Sequence, residues 1–97
     1  MNSNKINSII EEILIELEKN NMLEGKLNYS QELYLLGPNS PLDSLSFISF
    51  LTKLEDNLSL ENGSDIYIVL NEVKGFDINK NQMNVRTLVQ HIVELTK

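Results

Sequence analysis

Three stretches of this chain place apolar residues at helical spacing, and in 97 residues those stripes can be buried only against one another. The first covers residues 5–19. Ile6, Ile9, Ile10, Ile13, Leu14 and Leu17 recur at i, i+3, i+4 and i+7, while Glu11, Glu12, Glu16, Glu18 and Lys19 fall mostly on the opposite face. Asn20-Asn21 and Gly25 mark its end. The second covers residues 44–58, with Asp43 as N-cap and Ser44 and Ser46 suited to a first turn. Leu45, Ile48, Leu51, Leu54 and Leu58 give it one broad apolar face, which Phe47 and Phe50 widen. Such a helix can meet two neighbours or line a cavity. The third covers residues 85–96, capped by Asn84, with Val85, Leu88, Val89, Ile92 and Leu95 expected to point inward.

The connections are long. Residues 24–43 read as a loop punctuated by Gly25, Gly37, Pro38 and Pro41. Leu27, Tyr29, Leu33, Leu35 and Leu36 would pin it over the core, and a single helical turn around Gln31-Glu32-Leu33 is compatible with the sequence. In residues 59–84, Gly63-Ser64 breaks the chain, and Ile66, Ile68 and Leu70 then alternate with Tyr67 and Val69. That alternation suits a strand, but no second strand is evident to pair with it, and a lone strand is not stable. The expectation is an extended linker, a short helical turn near Leu70–Val73, and loop again at Gly75, Asn79 and Asn81. The sum is one all-α domain over residues 1–97, a small bundle of three main helices plus one short helix.

Charge and composition remove several classes of function. The net charge of −6 repels phosphate backbones, and no helix is basic enough to read DNA, so nucleic acid is not an expected partner. Partners with basic patches are favoured instead. There is no cysteine and one histidine, His91, which excludes disulfides, thiolate chemistry, Cys-type zinc sites and a cluster of histidines on a metal. His91 is expected to pack or to face solvent. No apolar run approaches the ~20 residues of a membrane span, and no apolar signal segment opens the chain, so a cytoplasmic monomer away from membranes is the default. No phosphate loop and no nucleophile with a nearby base argue for an enzyme.

The segment Leu36-Gly37-Pro38-Asn39-Ser40-Pro41-Leu42-Asp43-Ser44-Leu45 resembles the attachment motif of the acyl carrier protein family, in which an Asp-Ser-Leu triplet follows a loop and opens the second helix. Ser64-Asp65-Ile66-Tyr67-Ile68 is similar to the Asp-Ile-x-Ile stretch after that helix, and residues 84–92 are similar to the family's last helix. The resemblance covers nearly the whole chain. It implies a bundle of the acyl-carrier kind, with 4'-phosphopantetheine esterified to the Ser44 hydroxyl by a phosphopantetheinyl transferase. Acyl intermediates would be held as thioesters on the arm, which supplies the thiol the chain lacks, in fatty-acid or secondary-metabolite biosynthesis.

The resemblance also implies roles for the neighbours. Asp43 would cap the helix and add an acidic handle beside the arm. Leu45 and Ile48 would meet the transferase and the acyl-loading and acyl-processing enzymes, or shelter the acyl chain. Glu55 and Asp56 would meet basic patches on those partners. Phe47, Phe50, Leu51 and Leu54 are expected to be core, with a sleeve for the acyl chain as the alternative. Fatty-acid carriers commonly place acids where this chain has Ser46 and Ser49, which points to a specialised, free-standing carrier. Two other functions stay open: an aminoacyl or peptidyl carrier, against which Leu45 leans, and an unmodified helical interaction domain.

Overall fold

The computed structural model describes residues 1–76, 79 and 81–97. In chain order it has helix α1 (Ser3–Lys19), strand β1 (Tyr34–Leu36), helix α2 (Ser44–Asn62), a single 3₁₀ turn (Leu70–Glu72), strand β2 (Met83–Asn84) and helix α3 (Val85–Leu95). The three helices start in the same way. The side chains of Asn2, Asp43 and Asn84 accept from the backbone N–H groups of Lys5, Ser46 and Thr87 at 2.9, 2.8 and 3.0 Å, satisfying one orphan donor at each N-terminus.

The helices stop by local rules too. At the end of α1, Asn21 takes a left-handed conformation at φ 59°. Its N–H reaches the Glu18 carbonyl at 3.1 Å, and the Met22 N–H reaches the Leu17 carbonyl at 2.9 Å. These are the two crossing bonds of a Schellman motif, with asparagine where glycine is usual. Helix α2 runs four residues past the expected 44–58 and ends at Gly63, φ 75°, whose N–H bonds to the Ser59 carbonyl at 3.0 Å. Asn57, Ser59, Glu61 and Asn62 lie within this extension or just before it and continue the helix without deepening its apolar stripe.

Helix α1 lies at the centre, packed against both α2 and α3. All six apolar residues of its predicted stripe are buried. They meet Phe47, Phe50, Leu54 and Leu58 of α2 and Val85, Leu88, Val89 and Ile92 of α3 in one continuous core. Burying each such side chain contributes roughly 1.5–3 kcal/mol. Leu95 was expected to complete the α3 stripe but is 41% exposed, lying a turn beyond the last core contact at Ile92.

The all-α expectation needs correction. The helices are joined by an antiparallel ribbon of β1 and β2, with Tyr34 opposite Asn84, Leu36 opposite Met83 and a bulge between them. Residues 31–33 close one hydrogen-bonded turn, the Leu33 N–H donating to the Ser30 carbonyl at 3.2 Å, but do not extend it into a helix. Their carbonyls serve α3 instead: Leu33 accepts from the Val85 N–H at 2.9 Å and Gln31 from the Arg86 N–H at 3.0 Å. Two more orphan donors of α3 are thus satisfied by the preceding loop, and Arg86 adds an ion pair with Glu32. The expected fourth helix is only the 3₁₀ turn, so the described residues form three helices, that turn and a ribbon.

The extended reading of the 63–69 linker holds, and the reason is visible. Ile66 and Ile68 enter the core while Tyr67 and Val69 face solvent, which gives a strand-like alternation. The backbone N–H groups of Ile66 and Ile68 find side chains of α2, Ser59 Oγ and Glu55 Oε2, each at 2.8 Å. The segment therefore needs no strand partner to satisfy these inward-lying donors.

Side chains of α1 also hold the long loop. Glu18 Oε2 accepts from the Leu27 N–H at 2.5 Å, and Asn7 Oδ1 accepts from both the Tyr29 hydroxyl at 2.5 Å and the Gln31 amide at 2.7 Å. Burial, with the negative charge of Glu11 second, pushes the Tyr29 phenol up to about 12 from 10.0, against the opposing hydrogen bond from Gln31. A raised phenol favours the folded state below pH 10 and loses that contribution as pH rises through about 12. One of the three tyrosines is therefore expected to ionise near pH 12 in a phenolate absorbance titration. Tyr29→Phe should remove that late step and flatten the loss of stability between pH 10 and 12; an unchanged titration would refute the assignment.

Candidate functional site

Ser44 is the first residue of α2 and is exposed. The loop that delivers it is fixed at several points. Gly37 has φ +115°, and a Cβ there would stand 2.7 Å from Gln82 Cγ and 3.1 Å from the Asn81 carbonyl oxygen, so glycine is required where the loop leaves the ribbon. The Ser40 N–H donates to the Gly37 carbonyl at 3.1 Å, and Ser40 Oγ accepts from the Leu42 N–H at 3.0 Å. The Pro41 carbonyl accepts from the Glu24 N–H at 2.8 Å, and the Leu42 side chain is buried. One residue later the Asp43 carboxylate caps the helix.

The next turn is anchored from below. Ser46 is 4% exposed, and its hydroxyl donates to the Met22 carbonyl at 2.7 Å. That carbonyl is presented by the Schellman turn that ends α1, so the first turn of α2 is tied to the last turn of α1. Sequence reasoning placed Ser46 in the first turn but gave no sign of this bond, since Met22 lies 24 residues away.

Above these anchors the surface is apolar. Leu45 is 70% exposed and Ile48 is 60% exposed. The single broad apolar face expected for α2 is in fact two faces. Phe47, Phe50, Leu54 and Leu58 point into the core, Leu51 lies between, and Leu45 and Ile48 flank Ser44 on the solvent side. Ile48 stands one turn above Ser44 on the same side of the helix. Phe47 and Phe50 pack with ring centroids 6.3 Å apart at a 34° tilt, as part of the buried core.

The remaining expected contacts are spread along the same helix. Asp56 is exposed. One oxygen of Glu55 is occupied by the Ile68 N–H, so this residue holds the following segment in place. His91 is partly buried on α3, with Nε2 enclosed and making no hydrogen bond among the described residues.

The electrostatics suit an anion on Ser44 but not an activated hydroxyl. A helix N-terminus carries partial positive charge, so a phosphodiester at its first residue is favoured. The Asp43 carboxyl is held below its ordinary range by hydrogen bonds from Ser46, chiefly from its backbone N–H. Its charge is thus engaged in capping the helix. The arrangement offers an accessible hydroxyl on a rigid frame between two exposed apolar side chains. Among the described residues, no helix is long and apolar enough to cross a membrane. The chain matches no family model, no curated protein and no solved structure.

Proposed function

We propose that the chain is a carrier protein bearing 4'-phosphopantetheine on Ser44 and presenting acyl groups, held as thioesters on that arm, to partner enzymes. The observation that carries this is the setting of Ser44: exposed, first in α2, on a loop tied at Gly37, Ser40 and Pro41, and flanked by the exposed pair Leu45 and Ile48. A transferase must reach the hydroxyl, and a tether must hold its cargo at a defined point. The apolar pair supplies contact area to that transferase and to acyl-processing enzymes, with Asp43 and Asp56 as acidic contacts for their basic patches. Isolated exposed ion pairs contribute only about 0.2–1 kcal/mol each, which suits encounters that must end quickly.

The test is incubation of the purified chain with coenzyme A and a broad-specificity phosphopantetheinyl transferase, followed by intact mass. The expected result is a gain of one phosphopantetheine by the parent and none by Ser44→Ala, with both proteins melting alike. A folded parent that gains no mass with several transferases would turn the reading to an unmodified interaction domain, for which Leu45 and Ile48 would be the contact surface.

A further inference from the structure

A second exposed apolar feature lies at the far end of α2, about 24 Å from Ser44 along the helix axis. Leu60 is 82% exposed and Tyr67 is 71% exposed, the two most exposed of the large apolar side chains. They line an open groove of about 700 Å³ between the last turns of α2 and the segment that follows Gly63. The groove is built rather than incidental. Ser59 Oγ and Glu55 Oε2 hold the Ile66 and Ile68 N–H groups, which fixes the outer wall against the helix. Ile66 points into the core from beneath, leaving Tyr67 turned outward.

The charge around the groove has one sign. Glu55, Asp56 and Asp65 line it, and among the described residues no lysine or arginine does. The cations in ion pairs, Lys5, Lys53, Arg86 and Lys97, belong to other parts of the surface. An exposed aromatic and an exposed leucine beside the exposed carboxylates of Asp56 and Asp65 match a segment of opposite charge with an apolar anchor.

We infer that this groove is a docking site for a basic, amphipathic segment of a partner protein, one that inserts an apolar side chain between Leu60 and Tyr67 and sets lysine or arginine against Asp56 and Asp65. The site does not depend on Ser44 being modified. It would let a partner hold the chain by the lower end of α2 while the Ser44 end stays accessible.

Two synthetic helical peptides test this, one of leucines and lysines and one with glutamates in place of the lysines, each titrated into the full chain while amide chemical shifts are followed by NMR. The lysine peptide is expected to give saturable shifts centred on Ser59, Leu60, Ser64 and Tyr67, and the glutamate peptide none. Leu60→Ser with Tyr67→Ser should weaken binding about tenfold or more, since truncating an aromatic anchor commonly costs this much. Asp56→Asn with Asp65→Asn should weaken it and reduce its salt dependence. These side chains are exposed, so the variants are expected to melt like the parent. Shifts centred on Leu45 and Ile48, shifts spread over the whole acidic surface, or no saturable shifts would overturn the assignment. So would shifts at the groove that grow with protein concentration alone, which would mean that a second copy covers it.

Discussion

Replacing Phe50 with alanine is expected to cost about 3–5 kcal/mol, the range for emptying a buried aromatic site. Phe50 is fully buried, stacks at a tilt on Phe47 and belongs to the core shared by α1 and α2. A domain of this size has only about 5–15 kcal/mol of stability in total, so the variant should be largely unfolded at modest urea. Its midpoint in urea denaturation, taken with an unchanged slope, is the measurement. The contrast is with Leu45→Ala and Ile48→Ala on the other side of the same helix, where changes within about 0.5 kcal/mol are expected because the side chains already face water. Equal costs at Ile48 and Phe50 would mean that α2 is rotated from the orientation described, and the setting of Ser44 would fall with it.

Ser46→Asp is the second large effect, expected at about 3–5 kcal/mol, the scale of leaving a buried charge without a partner. Three losses act together. The hydroxyl that donates to the Met22 carbonyl disappears, that carbonyl is left facing another acceptor, and an anion is moved out of water. Ser46→Ala removes only the donor and should cost about 1–3 kcal/mol. The carboxyl introduced by Ser46→Asp should have its folded-state pKa raised by burial, so the penalty should ease as pH falls through that raised value. Ser49→Asp, at a partly exposed position, is expected to be near neutral. A Ser46→Asp variant as stable as the parent at neutral pH would show that the tie between α1 and α2 does not exist. The result bears on function. Acids at these two positions are common in fatty-acid carriers, and the serines could be taken as a choice of different partners. At position 46 the geometry gives another reason: the side chain is a buried strut, and an acid has no room to be hydrated.

The strut also shows how the candidate site is stabilised from a distance. The end of α1 and the start of α2 are joined by the bond from Ser46 to Met22, and the loop before Ser44 is tied to the segment after α1 by the Glu24 N–H on the Pro41 carbonyl. Such a frame would suit the proposed carrier role, because a partner binding there would not have to order the loop before Ser44, and ordering costs about 1–2 kcal/mol per residue of backbone.

Local physics made the helices legible. The α1 stripe and the caps at Asp43 and Asn84 each depend on neighbours within a few residues, and each could be read from the chain; Gly63 was visible as a break, but α2 was expected to stop at residue 58 and runs on to Asn62. The loop–helix junction at Asp43-Ser44-Leu45 was legible for the same reason, as was the short turn at Leu70–Glu72. What failed to show was long-range. The ribbon uses three residues and two residues separated by 46 positions, too short for either piece to display a period of its own. Which half of the apolar surface of α2 faces inward was not decidable either, since Leu45 and Ile48 are as apolar as Leu54 and Leu58. Only the docking of α1 buries the second pair and leaves the first beside Ser44. In the same way nothing local assigns Ser46 to Met22 or Glu55 to Ile68. The sequence determined the helices, their caps and the serine at the loop–helix junction, because those follow from backbone hydrogen bonds and side-chain spacing within a few turns. The tertiary structure decided which apolar residues remain exposed around that serine and which polar ones become struts, because burial is set by what packs opposite, and those partners lie far along the chain.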